Sequence, residues 1–147
     1  MKEKILNGTF TPNIHNSRTH WQSIFNGKKY RSSWEAVFHS LNLNLVYEKH
    51  RIKYLFDGKE SVYIVDFSDL KNNILFEIKP KSCIDKKTKT KELFAKQWCK
   101  ENDYEYVYIT EEYFYDNYDK INFNNFSKDV KDKMEKMINA YKKNKKN

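Results

Sequence analysis

The order of apolar and polar positions along the 147 residues predicts an α/β fold. Residues 1–29 show no periodicity and read as an irregular N-terminal arm. A helix is expected to begin at Ser32 or Ser33, either of which can cap it, because Trp34, Val37, Phe38 and Leu41 then recur at helical spacing. Strands follow over 45–48 and 51–56. Asp57-Gly58 is a turn dipeptide, and 61–67 reads as the returning strand of a hairpin. Asn72-Asn73 marks another turn before a strand over 74–78, which Pro80 limits. The stretch 90–100 holds neither Gly nor Pro and reads as a helix, with Phe94, Ala95 and Trp98 facing inward. Residues 104–109 suit a strand. Val130, Met134, Met137, Ile138 and Tyr141 mark a C-terminal amphipathic helix, with the tail over 142–147 frayed. The expected organisation is an arm over 1–29, a core over 30–125, and a C-terminal helix with its basic tail over 126–147. The core is a central mixed sheet flanked by helices.

Composition narrows the class. Only three Gly and two Pro argue against linker-like or disordered character, and 11 Tyr, 10 Phe and 3 Trp supply much of the core. Cys83 and Cys99 lack CxxC spacing and neighbouring His, so two free thiols are expected rather than a zinc site. No apolar run approaches the roughly 20 residues needed to span a bilayer, and no signal peptide is visible. A soluble, cytoplasmic protein with no membrane partner is therefore expected.

The formal charge of +8 suits a polyanion, since Lys and Arg release counterions when they neutralise phosphates. Its distribution is informative. Residues 78–91 carry six Lys against one Asp, and 128–147 carry eight Lys against three acids. Residues 101–119 hold seven acids and no Lys or Arg. The first basic block follows the strongest motif directly.

That motif is Ile64-Val65-Asp66-Phe67, a turn, then Phe76-Glu77-Ile78-Lys79-Pro80. The strand period of two places Glu77 and Lys79 on one face. Asp66 ends the preceding strand and can meet Glu77 at one edge of the sheet. Two carboxylates brought together repel unless a cation lies between them, and a hard divalent ion, Mg²⁺ or Mn²⁺, matches oxygen ligands. Such an ion acidifies water and polarises a phosphodiester, with Lys79 positioning the water and offsetting charge. Taken alone, an E-x-K is a common surface pattern. Here it is embedded in apolar runs and precedes a lysine block.

Tyr30-Arg31-Ser32-Ser33-Trp34-Glu35, Val46-Tyr47-Glu48, Tyr63-x-x-Asp66-Phe67 and Glu77-Ile78-Lys79-Pro80-Lys81 together resemble the PD-(D/E)XK nuclease superfamily. More narrowly they are similar to the head-completion nucleases of tailed phages, and more distantly to the endonuclease subunit of heteromeric transposases. The resemblance covers roughly residues 8–110. It implies a restriction-endonuclease-like core and adds a helix acid, Glu35, to Asp66 and Glu77 as metal ligands, with Lys79 completing the catalytic set. In isolation Glu35 is an ordinary first-turn acid. The family often has Pro before the Asp, where this chain has Val65. Glu48 matches a recurring family acid and reads equally well as structural.

Other features carry less. His15, His20, His39 and His50 lack metal-ligand spacing. Tyr104, Tyr106 and Tyr108 share a strand face that packs under a helix or stacks bases. Lys86, Lys87, Lys89 and Lys91, with Arg31 and Lys81, are candidates for the DNA backbone, or form a solvated loop. The reading that follows is a Mg²⁺-dependent DNA endonuclease, acting on double-stranded DNA with little sequence selection. The resemblance implies processing of phage DNA ends alongside head or portal proteins, in the host cytoplasm or the virion. The alternatives are a junction-resolving, homing or repair nuclease on the same core, and a non-catalytic DNA-binding or capsid-associated protein.

Overall fold

The structure, a computed structural model, describes residues 24–25 and 27–146. Among the described residues, eight strands and four α-helices follow in chain order. Strands β1 (Ile24–Phe25) and β2 (Lys28–Lys29) form a small antiparallel pair, so this part of the expected irregular arm is a hairpin. Residues 1–23 lie outside the described residues, and with them His15 and His20.

Helix α1 (Ser33–Leu41) starts where Ser32 accepts the Glu35 amide at 3.2 Å. Strand β3 (Val46–Tyr47) leads to the hairpin of β4 (Arg51–Phe56) and β5 (Lys59–Ile64). Asp57 and Gly58 take φ of 51° and 73° at its turn, as the tightest hairpin connection requires.

The single strand expected over 61–67 is divided. β5 ends at Ile64, and β6 (Phe67–Asp69) belongs to another sheet. Val65 still donates its amide to the His50 carbonyl at 3.0 Å, whereas the Asp66 carbonyl accepts from Glu48 at 2.9 Å. The chain therefore crosses between sheets at Val65-Asp66. β6 then pairs with β7 (Ile74–Ile78) across a turn closed by the Asp69 carboxylate, which accepts from the Lys71 and Asn72 amides at 3.1 and 3.0 Å.

Helix α2 (Lys86–Asn102) begins four residues before the expected start. Asp85 caps it by accepting the Thr88 amide and hydroxyl, each at 2.8 Å, so the lysine block is helical rather than a loop. Thr88, Ala95 and Cys99 are its buried positions, while Phe94, expected inside, is 38% exposed. Strand β8 (Glu105–Ile109) runs parallel to β7. Helix α3 (Glu111–Asp116) was not expected, and α4 (Lys128–Lys146) carries helix through most of the tail expected to fray. Asn147 lies outside the described residues.

The central sheet has the order β3-β6-β7-β8, antiparallel except for the last pair. It is mixed and flanked by helices. One face packs on α1, α3 and α4 through Val37, Phe38, Phe67, Ile78, Phe114 and Met134. The other packs on α2 and the separate β4-β5 sheet through Ile52, Tyr54, Tyr63, Leu75, Ala95 and Cys99. Full burial of each large side chain contributes about 1.5–3 kcal/mol. Alternation along β7 sends Leu75 and Glu77 to the α2 side and Phe76 and Ile78 to the other. Both cysteines are free thiols, Cys83 exposed and Cys99 buried. Among the described residues no helix is long and apolar enough to cross a membrane.

Candidate active site

Glu35, Asp66 and Glu77 come from three separate stretches of the chain and lie within electrostatic reach of one another. Glu35 lies in the first turn of α1 and is buried at 8% exposure. Glu77 lies within β7 and is buried at 7%. Asp66 stands at the sheet crossing and is half-buried. Asp66 feels the charge of both glutamates, and Glu35 feels Glu77. Glu35 therefore faces the hairpin and not bulk solvent.

Each carboxyl is gripped by a neighbour. The Ile78 amide donates to Asp66 Oδ2 at 2.8 Å. The Tyr47 hydroxyl donates to Glu35 Oε1 at 2.6 Å, and the Ser32 hydroxyl to Oε2 at 3.0 Å. The Tyr63 hydroxyl donates to Glu77 Oε1. Ser32 thus caps the helix and binds the Glu35 carboxylate through one hydroxyl, and both Glu35 oxygens are engaged in the local frame.

Burial raises all three carboxyls above the ordinary range. For Asp66 the rise is large and is reinforced by Glu77 and then Glu35, against the Ile78 amide. For Glu35 the Tyr47 and Ser32 bonds oppose it. For Glu77 the Tyr63 bond opposes it, followed by the charges of Lys79 and, more weakly, Lys91. Asp66 and Glu77 stand close enough for the charge of one to raise the other, Glu77 acting on Asp66 more strongly than Glu35 does. Among the described residues no set of three or more His, Cys, Asp or Glu side chains forms a ready cation cage. The chemistry of the donors nonetheless fits a hard dication: neighbouring, desolvated carboxyl oxygens, costly to ionise together, gain most when a divalent charge lies between them.

Lys79 continues the β7–β8 pairing through its amide, 3.0 Å from the Ile109 carbonyl, before Pro80 ends it. Its Nζ lies 3.4 Å from Thr88 Oγ1 on α2. It therefore stands beside Glu77 with the first turn of α2 against it. Lys86, Lys87 and Lys89 are exposed on that helix. Lys91 differs from them: it is half-buried, with its Nζ 5.5 Å from the Tyr63 ring centre and 5.7 Å from that of Tyr54. Lys81 is exposed in the short turn after Pro80. The Arg31 guanidinium pairs with Glu48 at 2.7 Å. Glu48 raises the Glu35 carboxyl slightly and otherwise serves the frame through its amide and this ion pair.

Sequence reasoning missed the hydroxyl groups. Ser32-x-x-Glu35 carried a capping-box signal, and Tyr63 sits on an inward strand position near Asp66. Tyr47, Thr88 and Tyr106 stood in motifs or on faces the sequence singled out, but nothing there assigned their hydroxyls to the acids or to Lys79. His39 and His50 bind Tyr30 and Ser68 hydroxyls at 2.5 and 2.6 Å and serve packing. A cavity of about 510 Å³ lies elsewhere, between α3 and α4, lined by Tyr115, Tyr118, Asp116 and Glu135 among others. No protein-family model matches the chain, and no curated protein or solved structure matches it.

Proposed function

We propose that this protein is a divalent-metal-dependent endonuclease that hydrolyses phosphodiester bonds in DNA, built on a restriction-endonuclease-like core. The observation that carries the reading is the burial of Glu35 and Glu77 with the desolvated Asp66 within reach of their charge and Lys79 beside Glu77. A domain this small gains no stability from three desolvated acids, each of which costs folding energy when ionised. Asp66 and Glu77 are the principal ligands for Mg²⁺ or Mn²⁺. Glu35 stands next to them, but its two hydrogen bonds tie it to the α1 cap. When bound, the ion supplies Lewis-acid chemistry to water and a phosphoryl oxygen.

The chain's own groups do the rest. The Lys79 ammonium, held against Thr88, orients the attacking water and offsets charge on the phosphorane. Lys86, Lys87 and Lys89 on the exposed side of α2, with Lys81 nearby in the sequence, engage backbone phosphates without reading bases. Arg31 joins them once its exposed pair with Glu48 opens. Double-stranded DNA as substrate, phage head completion as setting and head or portal proteins as partners rest on the motif resemblance alone.

The test is incubation of the full chain with linear, nicked, circular and branched DNA, with Mg²⁺ or with excess chelator. Cleavage confined to the Mg²⁺ lanes and lost in Asp66→Asn supports the proposal. Cutting undiminished by chelator, or equal in the variant, overturns it.

A further inference from the structure

Glu77 is oriented from outside its own sheet. Tyr63 lies on β5, in the separate two-stranded sheet, at 3% exposure, and its hydroxyl donates to Glu77 Oε1. The same hydroxyl lies 2.9 Å from the Tyr106 hydroxyl on β8. A phenol has one hydrogen to give. With that hydrogen committed to Glu77, Tyr63 accepts from Tyr106, which fixes the order Tyr106 to Tyr63 to Glu77. The Tyr63 ring packs beneath the Lys91 ammonium at 5.5 Å, a cation–π contact that holds the ring in place. Three elements, β5, β8 and α2, therefore converge on one carboxylate, and the bond to Oε1 leaves Oε2 outside it.

We infer that Tyr63, backed by Tyr106 and packed under Lys91, is a positioning residue that sets the rotation of the Glu77 carboxylate and presents its second oxygen beside Asp66 to a divalent cation. The inference rests on the proposed metal-dependent function. A tyrosine needed only to fill the core would serve as well without its hydroxyl. A positioning tyrosine would not.

The experiment is a calorimetric titration of the full chain with Mn²⁺, for the wild type, Tyr63→Phe, Tyr106→Phe and Tyr54→Phe, alongside thermal melts and cleavage kinetics. Tyr63→Phe is expected to weaken Mn²⁺ binding by roughly 10–100-fold, the range for losing a group that orients a ligand. Tyr106→Phe, one bond further away, weakens it less. Tyr54→Phe keeps the second ring under Lys91 and leaves binding unchanged. In cleavage, kcat falls in Tyr63→Phe at limiting Mn²⁺ while KM for DNA holds, and added Mn²⁺ restores part of the rate. Wild-type Mn²⁺ affinity in a folded Tyr63→Phe overturns the inference alone. If Tyr63→Phe does not fold, wild-type affinity in Tyr106→Phe does the same. A wild type that binds no Mn²⁺ overturns the proposed function and this inference with it.

Discussion

The two faces of the central sheet use aromatic residues for different ends. Towards α1, α3 and α4, ring meets ring: Phe38 stands 5.3 Å from Phe67, 5.4 Å from Phe76 and 5.2 Å from Tyr113. Towards α2, among the described residues, Phe56 is the one phenylalanine of that core, and Tyr54, Tyr63, Tyr104 and Tyr106 take its place. Two of those hydroxyls point at each other, and one of them binds Glu77. One extra oxygen per ring converts a packing surface into a frame for charged groups. The phenylalanines of the first face should answer to mutation in stability and the tyrosines around Glu77 in activity, with Tyr47, whose hydroxyl binds Glu35, the exception on the first face.

The sharpest separation comes from a pair of variants. Phe114→Ala, at a fully buried position on the first face, should cost about 3–5 kcal/mol, read as a drop in the denaturation midpoint. Asp66→Asn should lower cleavage by more than the roughly 100-fold of a missing orienting group. It should also raise the melting temperature at neutral pH without metal. Asn keeps an acceptor for the Ile78 amide and removes a carboxyl that burial makes costly to ionise. A destabilised Asp66→Asn would erase the contrast.

Acidity sharpens it next. Asp66, Glu35 and Glu77 bind protons more tightly folded than unfolded. Above the ordinary carboxyl range, near pH 4, the native state holds more protons, so stability falls as pH rises toward the raised values and then levels off. Melts from pH 4 to 8 in chelator should show this decline. Asp66→Asn should flatten it, and Mg²⁺ should reverse it. A wild-type melting temperature that rises over that range would contradict the cluster.

The exposed side of α2 gives a smaller, purely electrostatic effect. Replacing Lys86, Lys87 and Lys89 with Ala should leave the melt unchanged and weaken DNA binding on every sequence. The slope of log affinity against log salt should shrink by about 0.9 for each phosphate no longer neutralised. An unchanged slope returns these lysines to the solvated surface. Smallest is Tyr108→Phe. The Tyr108 hydroxyl is buried without a well-formed hydrogen bond, although Tyr106 and Glu92 stand near it. Its removal should stabilise by up to about 1 kcal/mol, where removal of the Tyr63 hydroxyl acts on metal binding.

Elements with both a cap and a periodic stripe were legible in the chain, α1 with Ser32 and the β4-β5 hairpin with Asp57-Gly58 above all. The division between β5 and β6 was not. Tyr63, Val65 and Phe67 are all buried and evenly alternating, so the period of two runs unbroken through a change of sheet. The start of α2 was hidden because Lys and Thr give no apolar rhythm, although Asp85-x-x-Thr88 marked its cap. Helix α3 is six residues of acids and rings, too short for a helical period to emerge. The acid cluster was readable from Asp66 and Glu77-x-Lys79, with Glu35 supplied by the resemblance. Its hydroxyl frame was not, because a strand tyrosine looks the same whether its oxygen is used or idle.

The crossing at Val65-Asp66 has a consequence in time as well as space. The β4-β5 hairpin can close from local contacts alone, within microseconds. Asp66 reaches Glu77 only after β6 has paired in the other sheet, and Tyr63 reaches Tyr106 only after β8 has been added 43 residues later in the chain. A chain still being synthesised has therefore made all three acids and the lysines of α2 before it makes Tyr106, so the frame around Glu77 is completed last. The last strand of the central sheet, β8, thus brings the hydroxyl that backs Tyr63, and Glu77 gains its full set of neighbours only when that strand is in place.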